Sequence, residues 1–152
     1  MVALNFPKYQ FRFREQEKPH IFDLIRRKFV LLTPEEWVRQ HVVNFLINEK
    51  KYPKSLINVE KLIMLNAVKK RYDVVVYNSD GSIRLLVECK APEVKISQVV
   101  FDQIARYNLA LQADLMMVTN GLEHFYCQIN YAESRYHFLQ DLPAAGQSYR
   151  IL

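Results

Sequence analysis

The stretch "RYDVVVYNSDGSIRLLVECKAPE", Arg71 to Glu93, holds two apolar runs on either side of a turn. "NSDGS", Asn78 to Ser82, reads as a hairpin loop in which Gly81 supplies the permissive backbone. The flanking runs, 71–78 and 83–91, are then neighbouring strands, yet each carries charge where a buried strand should not. Asp73 opens the first, and Glu88 with Lys90 closes the second. Side chains alternate along a strand, so Glu88 and Lys90 share a face with Cys89 opposite. With the loop at 78–82, Asp73 lies near Glu88 across the ladder, where Cβ atoms stand about 4.5–5.5 Å apart.

Two ionised carboxylates about 4 Å apart repel by roughly 4 kcal/mol at an effective dielectric of 20. That is a large part of a small domain's net stability. A lysine offsets some of it, and a divalent cation offsets more. Hard oxygen donors suit Mg²⁺, with Mn²⁺ as its substitute, and two carboxylates plus water and a phosphate oxygen form a usual Mg²⁺ shell. The Cys89 backbone carbonyl offers a third protein oxygen. Lys90 is placed to orient or deprotonate a water and to stabilise charge developing on phosphorus. A salt-bridged hairpin end accounts for the same three residues without any metal.

The rest of the chain supplies a frame. "LTPEEWVRQHVVNFLINEKKYP", from Leu32, predicts a helix with Thr33 as N-cap, Pro34 at its first position, and Glu35 and Glu36 at the positive end of the dipole. Val38, Val42, Phe45 and Leu46 make its apolar face. Strands are expected over about 56–65, 113–120 and 124–131, and a second helix over about 95–112. The order helix, three-strand meander, helix, two strands predicts an α/β fold with a mixed central sheet and a helix on each face. About 1–30 reads as an aromatic and basic arm or edge segment, with Phe6, Tyr9, Phe11 and Phe13 among Lys8, Arg12 and Arg14. All 152 residues are expected to form one domain with its core over about 30–130.

Composition bounds the function. Lys and Arg number 21 against 16 acids, a net charge of +5, which is compatible with a polyanionic partner. Two cysteines without a framework of spacings point to a reduced, cytoplasmic setting, and no apolar run approaches a membrane span. With only three glycines, neither a Walker A loop nor a G-x-G-x-x-G turn can be written, so an ATP-driven motor is expected in another polypeptide. The four histidines show no ligand or triad spacing, and neither cysteine has a base partner for nucleophilic chemistry.

The acid–acid–lysine hairpin resembles the PD-(D/E)XK nuclease superfamily, with Tyr72-Asp73 where that pattern begins with proline-aspartate. The ordered blocks "LTPEEWVRQHVVNFLINEKKYP", "KKRYDVVVY", "LLVECKAPEVKIS" and "MMVTNG" more specifically resemble the N-terminal nuclease domain of type I restriction enzyme motor subunits. The resemblance covers about residues 30–130. It implies a restriction-endonuclease-like α/β/α fold, Mg²⁺-dependent DNA hydrolysis, and Asp73, Glu88 and Lys90 at the site. It also implies a further acid from the first helix. A turn of 100° per residue puts Glu35 inside the inward stripe and Glu36 nearly away from it, and the family's glutamate four residues before an arginine, here Arg39, also selects Glu35. On the second helix, Gln103 and Tyr107 of "QIARY" match a Q-x-x-x-Y motif that in several such nucleases supports the lysine and contacts phosphate.

Implied partners are DNA and restriction-modification motor or specificity subunits. Paired duplex cuts need two active sites, so a homodimer or two recruited copies would follow. Two other readings stand beside this one: a non-catalytic DNA-binding or interaction module that retains the fold, and a nuclease acting on RNA.

Overall fold

The computed structural model describes residues 1–147. A six-stranded mixed sheet has the order β4 (Ile57–Leu65), β5 (Val68–Tyr77), β6 (Ile83–Cys89), β7 (Leu115–Thr119), β8 (His124–Asn130), β9 (Arg135–Leu139). Every neighbouring pair is antiparallel except β6 and β7. Their parallel pairing follows from the helix between them, α2 (Gln98–Asn108), since parallel neighbours need a long crossover. A separate small antiparallel sheet precedes it: β1 (Phe13–Arg14), β2 (His20–Asp23) and β3 (Lys28–Leu31).

Helix α1 (Pro34–Asn48) lies between the two sheets in sequence. Thr33 caps it, its side chain accepting from the Glu36 amide at 3.0 Å. Val38, Val42, Val43 and Leu46 are fully buried against Val74, Val76, Leu85, Val87, Leu115 and Met117 of the large sheet. On the other face, Ile96, Phe101, Ile104 and Ala105 of α2 and its lead-in pack on Met116, Val118, Cys127 and Ile129. The expected layering, a helix on each side of a mixed sheet, is what forms.

Three elements depart from the sequence reading. The sequence past 131 is ambiguous as to element type, and β9 forms there, its Tyr136 and Phe138 rings packing on Phe101. Helix α2 starts at Gln98, later than about 95, because Ser97 caps it by accepting from the Val100 amide. The expected N-terminal arm holds β1, β2 and the start of β3, but of its aromatic stretch from Phe6 to Arg14 only Phe13–Arg14 is strand. The aromatic alternation there serves a ring cluster instead: Phe11 stacks near Trp37 and His41 of α1, and Phe6 near Phe45 and His124. Gly121 is fixed by the same segment, since a Cβ there would meet a Leu4 methyl at 2.8 Å.

Candidate active site

The site lies where β5 and β6 stop sharing a ladder. Their paired residues begin at Val74 and Val87, and one further step in the same register sets Asp73 against Glu88. The Asp73 carboxylate closes the end of the ladder. Its Oδ2 accepts from the Cys89 amide at 2.8 Å, and its Oδ1 accepts from Arg39 of α1, also at 2.8 Å. On the other side of Asp73, strand β4 is irregular. The β4–β5 pairing passes from Val59–Val74 to Lys61–Tyr72, and Glu60 between them takes a positive φ of 55°. Glu60 thereby brings its own carboxylate to Arg39, at 2.6 Å.

Glu88 is the anomalous group. It is mostly buried, and its Oε1 has no hydrogen-bond partner. The Lys70 ammonium stands 3.6 Å from that oxygen. Burial, with the Asp73 charge beside it, pushes the Glu88 carboxyl up to about 8, against the pull of Lys70 and Lys90. Burial and the neighbouring Asp73 charge both favour the protonated form of Glu88, which lessens the repulsion expected between the two acids. A proton held this way is available for exchange with a cation.

Lys90 follows Glu88 by two residues. Its backbone amide donates to Thr119 at 2.8 Å, which holds the end of β6 to β7. Its charge acts on both Glu88 and Glu35, lowering each carboxyl's pKa. The loop after Lys90 is fastened by Asn120, whose side-chain amide donates to the Val94 carbonyl at 2.8 Å. Thr119 and Asn120 thus have structural roles.

The two helix acids divide differently from the angular argument. Glu36 is buried and tied to Arg26, Arg39 and Gln40. Glu35 is half-exposed, with Arg39 at 3.8 Å. The inward stripe of α1 is broader than a single core face, because a second, polar layer (Asp23, Arg26, Gln40) receives Glu36. Glu35 nevertheless looks toward the site: burial and Asp73 raise its carboxyl, while Arg39 and Lys90 lower it.

Gln103 and Tyr107 lie on the exposed side of α2 and, with Arg106, line a cleft of about 590 Å³. No hydrogen bond joins Gln103 to Lys90 among the described residues. Tyr107 does connect to the site through Lys70, whose ammonium sits 4.8 Å from the rings of both Tyr72 and Tyr107. Asp73, Glu88, Lys90 and Glu35 are thus within electrostatic reach of one another, and Tyr107 meets them through Lys70, while nothing joins Gln103 to them among the described residues. Cys89 turns its thiol into the core, where burial pushes it well above the usual range. Its backbone belongs to the site.

Three participants escaped sequence reading. Arg39 was noted only as a spacing mark, yet it gathers Glu36, Glu60 and Asp73. Burial opposes its charge, and Glu36 and Asp73 outweigh that and raise its pKa. Glu60 was hidden by a backbone irregularity that no pattern announces. Lys70 had a signal, since it shares a strand face with Tyr72 two residues on.

Among the described residues no three His, Cys, Asp or Glu side chains are arranged to enclose a cation. A cation at this place would therefore be held by a partial protein shell, as Mg²⁺ usually is. The partnerless buried oxygen of Glu88 beside Asp73 fits that requirement.

Residues 34–143 match the family described as type I restriction enzyme R protein N terminus (HSDR_N). The chain belongs to this family. A fragment described as that of an HsdR subunit of a type I restriction enzyme from Vibrio vulnificus YJ016 shares its fold, with a TM-score of 0.50 at 19% identity. The alignment covers 74% of this chain and 24% of that one, so the chain spans about a quarter of its structural relative. No curated protein matches. Within the R-protein N-terminal family, the mixed sheet with a helix on each face is a restriction-endonuclease-like fold. No helix among the described residues is long and apolar enough to cross a membrane.

Proposed function

We propose that this R-protein N-terminal domain hydrolyses DNA phosphodiester bonds with Mg²⁺, or Mn²⁺ in its place. The observation that carries the reading is the buried Glu88 carboxyl, one oxygen of which makes no hydrogen bond, set against Asp73 at the end of a hairpin. Asp73, Glu88 and the Cys89 carbonyl would hold the cation, and Glu35, the further acid from α1, would add its charge from outside that shell. A bound Mg²⁺ supplies Lewis acidity, a more acidic water and a template for the phosphate.

The remaining roles belong to the chain. Lys90 orients the attacking water, and its charge offsets the negative charge that grows on the phosphate oxygens. Arg39 fixes Asp73 through Oδ1 while the Cys89 amide fixes Oδ2, so that carboxylate is rigidly presented. Gln103 and Tyr107 face the cleft where the substrate backbone would run. Membership of the R-protein N-terminal family would place the domain beside the specificity and translocation parts of a restriction-modification system.

A second reading, a non-catalytic DNA-binding module, draws on one fact: Arg39 already compensates Asp73. Relaxation of supercoiled plasmid separates the two. The full chain should nick plasmid in Mg²⁺ or Mn²⁺, and Lys90→Ala and Glu88→Gln should abolish nicking while far-UV circular dichroism stays unchanged. Nicking that persists in both variants removes the proposed mechanism.

A further inference from the structure

Strands β4 and β5 continue well past the point where β6 leaves the sheet. β6 pairs no further than Val74, whereas β4 and β5 stay paired from Lys61–Tyr72 to Leu65–Val68. The turn between them is Asn66-Ala67, both at positive φ (50° and 65°), as a two-residue hairpin turn of the right twist requires. Residues 61–72 thus form a two-stranded ribbon about 17 Å long, at ~3.4 Å per residue.

The ribbon's composition is one-sided. "KLIMLNAVKKRY" carries four cations, Lys61, Lys69, Lys70 and Arg71, and no acid. Leu62 pairs across with Arg71, and Met64 with Lys69, so these four share one face. Leu62, Met64 and Val68 are 47%, 61% and 67% exposed. A two-stranded hairpin is at best marginally stable alone in water, and a basic one with exposed apolar side chains suits a polyanion with apolar edges. At its base stand Asp73 and Glu60, and Lys70 links it to Tyr107 at the rim of the cleft.

We propose that the ribbon at 61–72 is an arm that lies against a nucleic acid duplex and leads its phosphate backbone to the Asp73–Glu88 end of the sheet. A two-stranded ribbon has the size to enter a major groove. Lys69 and Arg71 meet phosphates from the face of Leu62 and Met64, which meet the groove's apolar edges, and Lys61 adds its charge from the opposite face. The proposal rests on the DNA reading above, and its test is built so that each can fail separately.

The test measures binding of the full chain to a 20-base-pair duplex by fluorescence anisotropy across a salt series, with Ca²⁺ to prevent cleavage. Neutralising the arm (Lys61→Gln, Lys69→Gln and Arg71→Gln together) should weaken binding at least tenfold. It should also flatten the slope of log K against log salt by up to about 2.7, at ~0.9 per phosphate contact. Removing three charges elsewhere (Lys18→Gln, Lys28→Gln and Lys51→Gln) should leave the slope nearly unchanged. Mn²⁺ affinity, measured by calorimetry without DNA, should be equal in all three proteins. Wild-type binding with the same affinity and slope in the arm variant overturns the arm alone, and marks the ribbon as a protein contact. Failure of the wild type to bind duplex overturns the arm and the DNA reading together.

Discussion

The guanidinium of Arg39 donates to Asp73 Oδ1 at 2.8 Å from a helix on one face of the sheet. The same guanidinium meets Glu36 at 2.9 Å and Glu60 at 2.6 Å, so one buried cation holds three carboxylates from α1, β4 and β5. Breaking a buried pair by removing one partner leaves an uncompensated charge, a loss of about 3–5 kcal/mol. Arg39→Met should lower unfolding free energy by that amount in urea titrations. Arg39→Lys keeps the charge but loses the fork, and should recover only part of it.

A cation held beside Glu88 would bind with a strong dependence on pH. Its carboxyl is pushed up to about 8, so at neutral pH the metal-free chain holds a proton that a cation must displace. Mn²⁺ affinity should rise with pH by up to about tenfold per unit below pH 8 and level off above it. Calorimetry in buffers of different ionisation enthalpy should show release of close to one proton at pH 7, and none with Glu88→Gln.

The same carboxyl sets a stability trend. Between its ordinary value of 4.5 and about 8 the folded chain binds a proton there that the unfolded chain has lost. Unfolding then releases a proton, and stability falls as pH rises through that window, by up to about 1.4 kcal/mol per unit. Glu88→Gln should flatten the trend and be more stable than wild type at pH 8. Urea denaturation at several pH values reads both effects.

Glu35 and Glu36 are adjacent in sequence but should respond oppositely. Glu36→Gln strips a buried charge from the Arg26–Arg39 network and should cost roughly 3 kcal/mol. Glu35→Gln, half-exposed, should change stability by less than about 0.5 kcal/mol. If Glu35 serves the site, that variant lowers plasmid nicking at least tenfold. Thermal melts and nicking rates on both variants check the contrast.

What was legible follows from which signals are local. The 78–82 loop sets β5 beside β6, so Asp73 and Glu88 could be placed near one another from the sequence, but a bulge at Val76/Tyr77 that no pattern announces shifts the register by one and brings them opposite. Thr33 and Pro34 announced the start of α1 because capping chemistry is local. The Glu35–Glu36 geometry was misread because the angular stripe was drawn from apolar residues only. Asp23 ends β2 and Arg26 lies in the turn to β3, in a sheet whose short strands give no period, and they bury Glu36 in a polar layer. Arg39 escaped for a related reason: its partners come from three elements, and no spacing along one of them encodes that meeting.

Anomalous scattering from a crystal of the chain soaked in Mn²⁺ tests the central claim most directly. A single strong peak within coordination distance of both Asp73 and Glu88, lost in a Glu88→Gln crystal, is the predicted result. No peak there at millimolar Mn²⁺, with Arg39 still bonded to Asp73, would contradict it.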